Sequence, residues 1–133
     1  MKCPERVRDC VKCMTDAVSI PVTVKCRLGV DDFDTPEWTA HFVRTVAEGG
    51  VRHFIVHARK AWLEGLSSEE NREIPPLMYD RVMHLCEEFP DLYFTLNGGI
   101  TKLDHLKSIL EAAPRNLIGV MVGRLARDNP CEL

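Results

Sequence analysis

The sequence predicts an α/β fold built around a parallel sheet. Four short runs of β-branched and aromatic residues alternate with segments whose apolar residues recur at helical spacing. Each run is almost continuously apolar, which is typical of parallel strands that are covered on both faces. With 133 residues, of which 45% are hydrophobic and 28% charged, the chain has the size and composition of one globular domain. We therefore expect a single domain over residues 1–133.

The predicted elements follow one another without a repeat or a linker. The predicted strands are residues 20–26, 51–56, 92–96 and 118–122. The predicted helices are residues 4–17, a helix that opens at Pro36 and ends before Gly49, 78–88, 101–112, and one that begins near Leu125. Thr35 and Thr101 are the expected N-caps of the second and fourth helices, and Asp104 takes the capping-box position behind Thr101.

The net charge and the cysteine content limit which cellular compartment and which class of binding partner we expect. A net charge of -3 excludes a polybasic, nonspecific nucleic-acid binder but allows an enzyme with a local basic surface. We find no secretory signal and no apolar run of membrane-spanning length, so we predict an intracellular protein, cytoplasmic or organellar, with reduced thiols. Cys10 and Cys13 form one C-x-x-C pair without the second pair of a zinc site, so we expect no metal.

Polar and glycine residues cluster directly after the predicted strands. Asn97-Gly98-Gly99 separates one strand from a helix, and Gly123-Arg124 repeats this arrangement after the next strand. Glycine backbone can approach an anion closely and arginine offers a planar fork of donors, so the two turns together predict a phosphate site. Each turn alone is equally explained by a tight connection. Phosphate sites after strands 7 and 8 are common in (β/α)₈ barrels, so the four strands match strands 5–8 of such a barrel.

Two further strand ends and one long loop carry candidate binding residues. Lys25 ends the first strand, where it can stabilise an anion or simply extend into solvent. His57 ends the second strand, where it can bind a ligand or serve as a structural histidine. The polar segment 57–73 is long for a compact domain, and its basic residues suit a phosphate backbone, although its glutamates leave a plain solvated loop open. These basic residues are Arg59, Lys60 and Arg72.

Several of these residues lie in blocks that carry a family resemblance. The blocks are Pro21-Val-Thr-Val-Lys25-Cys-Arg27-Leu-Gly29, His57-Ala-Arg-Lys-Ala61, Gly65-Leu-Ser67, Glu70-Asn-Arg-Glu-Ile-Pro-Pro-Leu77, Asn97-Gly-Gly99 and Val120-Met-Val-Gly-Arg124. Over nearly its whole length the chain resembles the tRNA-dihydrouridine synthases, most closely their A-type branch. The blocks that begin at His57 and Glu70 are specific, whereas Asn-Gly-Gly and Gly-Arg also occur in other flavin barrels.

The resemblance implies an FMN-dependent (β/α)₈ barrel that reduces the C5=C6 bond of particular uridines in tRNA with NADPH. It implies that this chain is the FMN-phosphate half of the barrel, without the first half and without the family's C-terminal helical tRNA-binding domain. The family's proton-donating cysteine lies in Asn-x-Gly-Cys-Pro-Ser, which Cys3-Pro4 does not reproduce, so we assign no catalytic residue here. The implied FMN contacts are Lys25, His57, Asn97, Gly98, Gly99, Gly123 and Arg124, and the implied tRNA contacts are Arg59, Lys60 and Arg72.

Two other functions remain open at this point. A flavin oxidoreductase that acts on a free pyrimidine would use the same phosphate site, although it has little use for basic residues outside its pocket. A non-catalytic or truncated half barrel would bind a flavin or another phosphorylated ligand. Neither the uridines that are modified nor the oligomeric state follows from the sequence.

Overall fold

A computed structural model describes all residues of the chain, Met1–Leu133, as one parallel sheet with helices packed against it. The strands are β1 (Thr23–Arg27), β2 (His53–His57), β3 (Tyr93–Asn97) and β4 (Leu117–Met121). The helices are α1 (Pro4–Ala17), α2 (Pro36–Ala47), α3 (Tyr79–Glu88), α4 (Leu103–Ala112) and α5 (Arg124–Asp128), with 3₁₀ turns at Glu70–Arg72 and Pro130–Glu132. Every predicted strand and helix is therefore confirmed, with ends shifted by a few residues.

The strands lie side by side in chain order, β1-β2-β3-β4, and every neighbouring pair is parallel. Each crossover between neighbours contains a helix, and such crossovers are almost always right-handed. Since the chain moves across the sheet in one direction only, right-handed crossovers place all the connecting helices on the same face. The carboxyl ends of all four strands meet at one edge.

The hydrophobic core fills the space between that face and the helices. Phe54, Phe94 and Leu96 point into it from the strands and are fully buried. Val43 of α2 and Val82 of α3 meet them from the helices, also without exposed surface. Burial of large apolar side chains of this kind contributes about 1.5 to 3 kcal/mol each, so this layer provides most of what holds the sheet and helices together.

The opposite face of the sheet departs from the prediction that both faces are covered. Lys25 and Tyr93 are exposed on it, and Tyr93 keeps 52% of its surface accessible. Ile55 lies on the same face, paired with Lys25 on one side and Thr95 on the other. It is buried, and it made the second strand look continuously apolar. Each strand has only five residues, so only two or three of them lie on this face. An alternation of polar and apolar residues is hard to recognise from so few positions.

Helix starts were predicted unevenly. Thr35 is the N-cap of α2 as expected, and its Oγ1 accepts a hydrogen bond from the Trp38 N–H at 3.1 Å. The prediction for α4 was wrong, because the N-cap is Lys102, not Thr101, and no side chain of the cap bonds to the helix. Instead the carboxylate of Glu132, from the end of the chain, accepts from the Leu103 N–H at 3.3 Å. No helix combines the length and apolar character that a membrane span requires.

Candidate functional site

A cavity of about 660 Å³ opens at the edge where the carboxyl ends of the strands meet. The strand register places Arg27 beside His57, His57 beside Asn97, and Asn97 beside Met121, all in one row. Loops that follow the strands complete the walls. The cavity brings together all seven residues predicted to contact the cofactor, and also Arg72: its lining includes Lys25, His57, Arg72, Asn97, Gly98, Gly99, Gly123 and Arg124.

The Asn97-Gly98-Gly99 turn has a backbone that only glycine adopts readily. Gly98 has φ 112° and Gly99 has φ 71°, both in the left-handed region. A Cβ atom on Gly99 would also meet the end of the Leu77 side chain, so a larger residue would force that side chain to move. The turn is fixed from both sides, because Asn97 Nδ2 donates to the Met121 carbonyl at 2.8 Å and the Tyr79 hydroxyl donates to the Gly98 carbonyl at 2.6 Å.

His57 lies in the wall of the cavity with 8% of its surface exposed. Its pKa is lowered to about 4, first by burial and then by the positive charges of Arg27 and Lys25. The ring is therefore neutral at neutral pH. Its Nδ1 atom is buried and has no hydrogen-bond partner in the protein. Buried ring nitrogens are normally paired, so this atom is available to a bound ligand.

The cavity is strongly electropositive although the chain as a whole is acidic. Four cationic side chains line it, and no carboxylate is among the lining residues. The four cations are Lys25, Arg27, Arg72 and Arg124. Because the low-dielectric walls of a cleft concentrate the field of such charges, the cavity selects an anionic ligand.

Arg124 has one partner in this structure, a glutamate of the loop outside the lining. Its guanidinium lies 2.7 Å from the Glu73 carboxylate, and both side chains are about half exposed. An ion pair with that exposure contributes little free energy, at most about 1 kcal/mol. Arg124 can therefore exchange Glu73 for a phosphate, which accepts a bidentate pair of hydrogen bonds.

The loop after β2 uses two of its predicted tRNA contacts for its own structure. Arg59 is 8% exposed, and its guanidinium donates to the carbonyls of Glu73 and Pro75. Lys60 pairs with Asp34 at 2.7 Å. These two cations therefore hold the loop in this structure, and their contact with tRNA stays a prediction.

Arg72 differs from its two neighbours. It is exposed, it lines the cavity, and its guanidinium makes no hydrogen bond or ion pair within the chain, although its backbone N–H donates to the Glu69 carbonyl at 2.9 Å. Of the three predicted tRNA contacts, this one has the placement that the prediction requires.

Two residues that hold this loop in place were not singled out from the sequence. Arg27 donates from Nη1 to the carbonyls of Lys60 at 2.9 Å and Asn71 at 2.7 Å. Asn71 in turn pairs with the backbone of Trp62 through both atoms of its amide. The available signal was an asparagine inside a polar loop, since that side chain readily bonds to nearby backbone. Its particular partners depend on the folded path of the loop.

The cysteines do not form a reactive centre in the cavity. Burial raises the pKa of Cys26 and of Cys86 to about 12, so both stay protonated thiols. Cys3 is exposed at the start of α1 and lines a separate cavity beside β1. That the proton-donating cysteine lies outside this chain stays a prediction. No three His, Cys, Asp or Glu side chains lie close enough to bind a metal ion.

The residues around the cavity fit the phosphate and ring of a flavin mononucleotide. Gly98 and Gly99 line the cavity, and no atom lies within 4 Å of a Cβ position on Gly123, so the Gly123 backbone is open to a ligand. The unpartnered Nδ1 of His57 can take a hydrogen bond that the protein does not supply. The lining cations match a dianionic phosphate.

Comparison with known proteins agrees with this site. The family described as dihydrouridine synthase (Dus) matches residues 1–133. The chain is similar to the tRNA-dihydrouridine(20/20a) synthase of Shewanella oneidensis MR-1, 53% identical over 130 residues, which are 98% of this chain and 38% of that protein. The same enzyme of Pasteurella multocida Pm70 is 53% identical over 127 residues, 96% of this chain and 38% of that protein.

A third relative extends the same result. The tRNA-dihydrouridine(20/20a) synthase of Escherichia coli K12 is 54% identical over 125 residues, 93% of this chain and 35% of that protein. The chain thus spans a little over a third of the length of the curated relatives it matches. With a family match along its whole length, the chain belongs to the dihydrouridine synthase family.

Proposed function

We propose that this chain forms the FMN-phosphate half of a tRNA-dihydrouridine synthase, which reduces the C5=C6 bond of uridines in tRNA with NADPH. The observation that carries the proposal is the convergence of all seven predicted cofactor residues on one electropositive cavity. These residues come from three strands, from the turn after β3 and from the start of α5 after β4, which are distant in sequence. Family membership supports the same reaction class.

The sheet supports placement of these strands as strands 5–8 of a (β/α)₈ barrel. Its strands advance in one direction with the helices on one face, as in a barrel wall, whereas a doubly wound sheet reverses its strand order. The other face carries Lys25, Thr95 and Asn97, which would point into the barrel. The remaining strands, the proton-donating cysteine and a helical tRNA-binding domain would come from the rest of the protein.

Within the cavity, separate groups would hold the two ends of FMN. Gly99, Gly123 and Arg124 would bind the phosphate through backbone N–H groups and the guanidinium. Lys25 would hold its ammonium near the ring, and His57 would give or take a hydrogen bond at Nδ1 as a neutral imidazole. Bound FMN would supply the hydride for the reduction of the C5=C6 bond.

A tRNA substrate also explains Arg72, the cationic residue of the cavity lining that is not needed to bind the cofactor. The target uridine must leave its stack to reach a flavin bound inside the cavity. Its flanking phosphates would then lie at the rim, where Arg72 is exposed and unpaired. Phosphate contacts of this type fix the position of the RNA without reading its sequence.

The test is an assay of the full-length gene product that carries this chain. We expect NADPH oxidation that depends on FMN and on an unmodified tRNA transcript, with dihydrouridine detected in the product by mass spectrometry. Reduction of free uracil but not of tRNA would replace the proposal with a pyrimidine reductase. Binding of FMN without reduction of either substrate would leave a non-catalytic flavin protein.

A further inference from the structure

We propose that Trp62 is a stacking platform for a nucleobase of the tRNA beside the target uridine. The inference rests on the proposed function, because it concerns how the same site recognises its RNA. Trp62 lines the cavity and still keeps 39% of its surface exposed. An exposed aromatic ring beside a cationic groove is the combination that binds single-stranded nucleic acid, since every base has a π face.

The position of Trp62 is fixed through its own peptide groups. Asn71 Oδ1 accepts from the Trp62 N–H at 2.8 Å, and Asn71 Nδ2 donates to the Trp62 carbonyl at 2.8 Å. One side chain thus satisfies both polar atoms of this backbone segment. The loop is therefore ordered before RNA arrives, which lowers the entropic cost of binding.

Asn71 is itself tied to the sheet. Arg27, at the end of β1, donates to the Asn71 carbonyl at 2.7 Å and also lines the cavity. The connection from β1 through Arg27 and Asn71 to Trp62 sets the indole at a fixed distance from the cations that would hold the RNA backbone. Arg27 and Asn71 are positioning residues in this scheme, because they act on the RNA through Trp62.

Lys60 holds the indole on its π face. Its ammonium lies 4.0 Å from the centroid of the Trp62 ring and 2.7 Å from the Asp34 carboxylate. Asp34 lies just before α2, so the lysine is held there and covers one face of the Trp62 ring. A base stacked on the remaining exposed surface completes a sandwich in which each layer is attracted to the indole.

The experiment measures steady-state kinetics of the FMN-loaded, full-length gene product on unmodified tRNA. Trp62→Ala is expected to raise the KM for tRNA about tenfold, the range for loss of one base–aromatic stack. FMN content and kcat should stay within about twofold, because the stack contacts neither reacting atoms nor cofactor. Trp62→Phe, which keeps an aromatic face, should recover most of the loss.

Asn71→Ala tests the positioning role by non-additivity. Alone it should raise the KM for tRNA in the same direction as Trp62→Ala. In the Trp62→Ala background it should add little, because there is no longer an indole to position. A purely structural asparagine would give additive losses and a lower kcat in both backgrounds.

Matched controls separate this platform from general damage to the loop. Ile74→Ala removes another exposed apolar side chain of the same loop, 60% accessible and outside the cavity lining, and should leave the KM for tRNA unchanged. An equal rise in the KM for tRNA in Trp62→Ala and Ile74→Ala would overturn the proposal, because the loss would then reflect general damage to the loop.

A spectroscopic measurement covers the case in which Trp62→Ala fails to fold. Trp38→Phe removes the other tryptophan of these 133 residues, whose indole N–H has no hydrogen-bond partner, and the difference in emission between this variant and Trp38→Phe/Trp62→Phe isolates the Trp62 signal. Stacking should quench this emission saturably as tRNA is added. If the enzyme is active but the emission is not quenched, the stacking role of Trp62 is wrong and the proposed function stands. If the enzyme is inactive on tRNA, both the stacking role and the proposed function are wrong.

Discussion

The two faces of the sheet have opposite chemistry although the same strands form them. On the helix side, Phe54, Phe94 and Leu96 have no exposed surface and pack into the core. On the other side, Lys25 and Tyr93 are exposed, one residue away along the chain from core positions. Fold and candidate site are therefore encoded in one set of strands, at alternating positions.

Because of this alternation, a substitution on one face should change the stability of the fold, whereas a substitution on the other face should change ligand binding. A residue on the helix side changes the free energy of unfolding, since its partners are apolar and closely packed. A residue on the open side changes the charge, space or hydrogen bonds offered to a ligand. Adjacent residues of one strand can thus be used to test the two functions separately.

Phe94→Ala should have the largest effect on stability. The side chain is fully buried and lies 6.1 Å, centroid to centroid, from the ring of Phe54. Its removal is expected to lower the free energy of unfolding by about 3 to 5 kcal/mol, from lost burial and an unfilled cavity. Chemical denaturation of the purified protein measures it. A loss below about 1 kcal/mol would mean that the helix side is not the closely packed layer described above.

His57→Gln should change the pH dependence of stability. The folded pKa of His57, about 4, lies below its usual value of 6.5, so between these pH values the unfolded chain binds a proton that the folded chain does not. The free energy of unfolding should therefore fall as the pH drops from about 6.5 to about 4, by up to about 3 kcal/mol, and this contribution should be constant above that window.

Glutamine keeps a polar side chain at this position without titrating there. The variant should accordingly have a flatter profile of unfolding free energy between pH 4 and 6.5 than the wild type. His53→Gln is the matched control on the same strand, because burial alone lowers the pKa of His53 and no cation contributes. Parallel profiles for the wild type and His57→Gln would contradict the placement of a neutral histidine in the electropositive cavity.

Arg124→Ala should weaken FMN binding more than tenfold, a loss of at least about 1.4 kcal/mol. The guanidinium would otherwise form charge-assisted hydrogen bonds with the phosphate. Titration of the full-length gene product with FMN, followed by flavin fluorescence, gives the Kd. Arg127→Ala is the control, because Arg127 lies on the same helix, pairs with Asp128 and is absent from the cavity lining. Equal affinities for all three proteins would remove Arg124 from the phosphate site.

The order of strands and helices was predictable because it depends on local patterns. Apolar runs, helical periodicity and the Thr35-Pro36 start each reflect interactions within a few residues, and all are confirmed. The cofactor residues followed from the same logic, since parallel strands bring their carboxyl ends to one edge. The structure gathers those residues at one cavity, and their role in binding FMN remains a proposal.

The loop after β2 was not predictable in the same way. Arg59 and Lys60 look like free cations in the sequence, but their partners, Pro75 and Asp34, lie 16 and 26 residues away. The cap of α4 has the same character, because Glu132 reaches Leu103 across 29 residues. Polar contacts at such separations depend on the folded path of the chain, so they cannot be predicted from the periodicity of the sequence.

Tyr93→Ala gives the smallest expected effect in the 133-residue chain and the most direct test of the difference between the two faces of the sheet. Tyr93 directly precedes Phe94 in β3 but points to the open side, with 52% of its surface exposed. Its removal should change the free energy of unfolding of the purified protein by no more than about 0.5 kcal/mol, as for other surface substitutions. In the full-length gene product the same face would lie inside a closed barrel, where truncation of a tyrosine leaves a cavity. A loss of several kcal/mol there, beside a negligible loss in the 133-residue chain, is the expected result, and equal small losses in both would argue against the barrel.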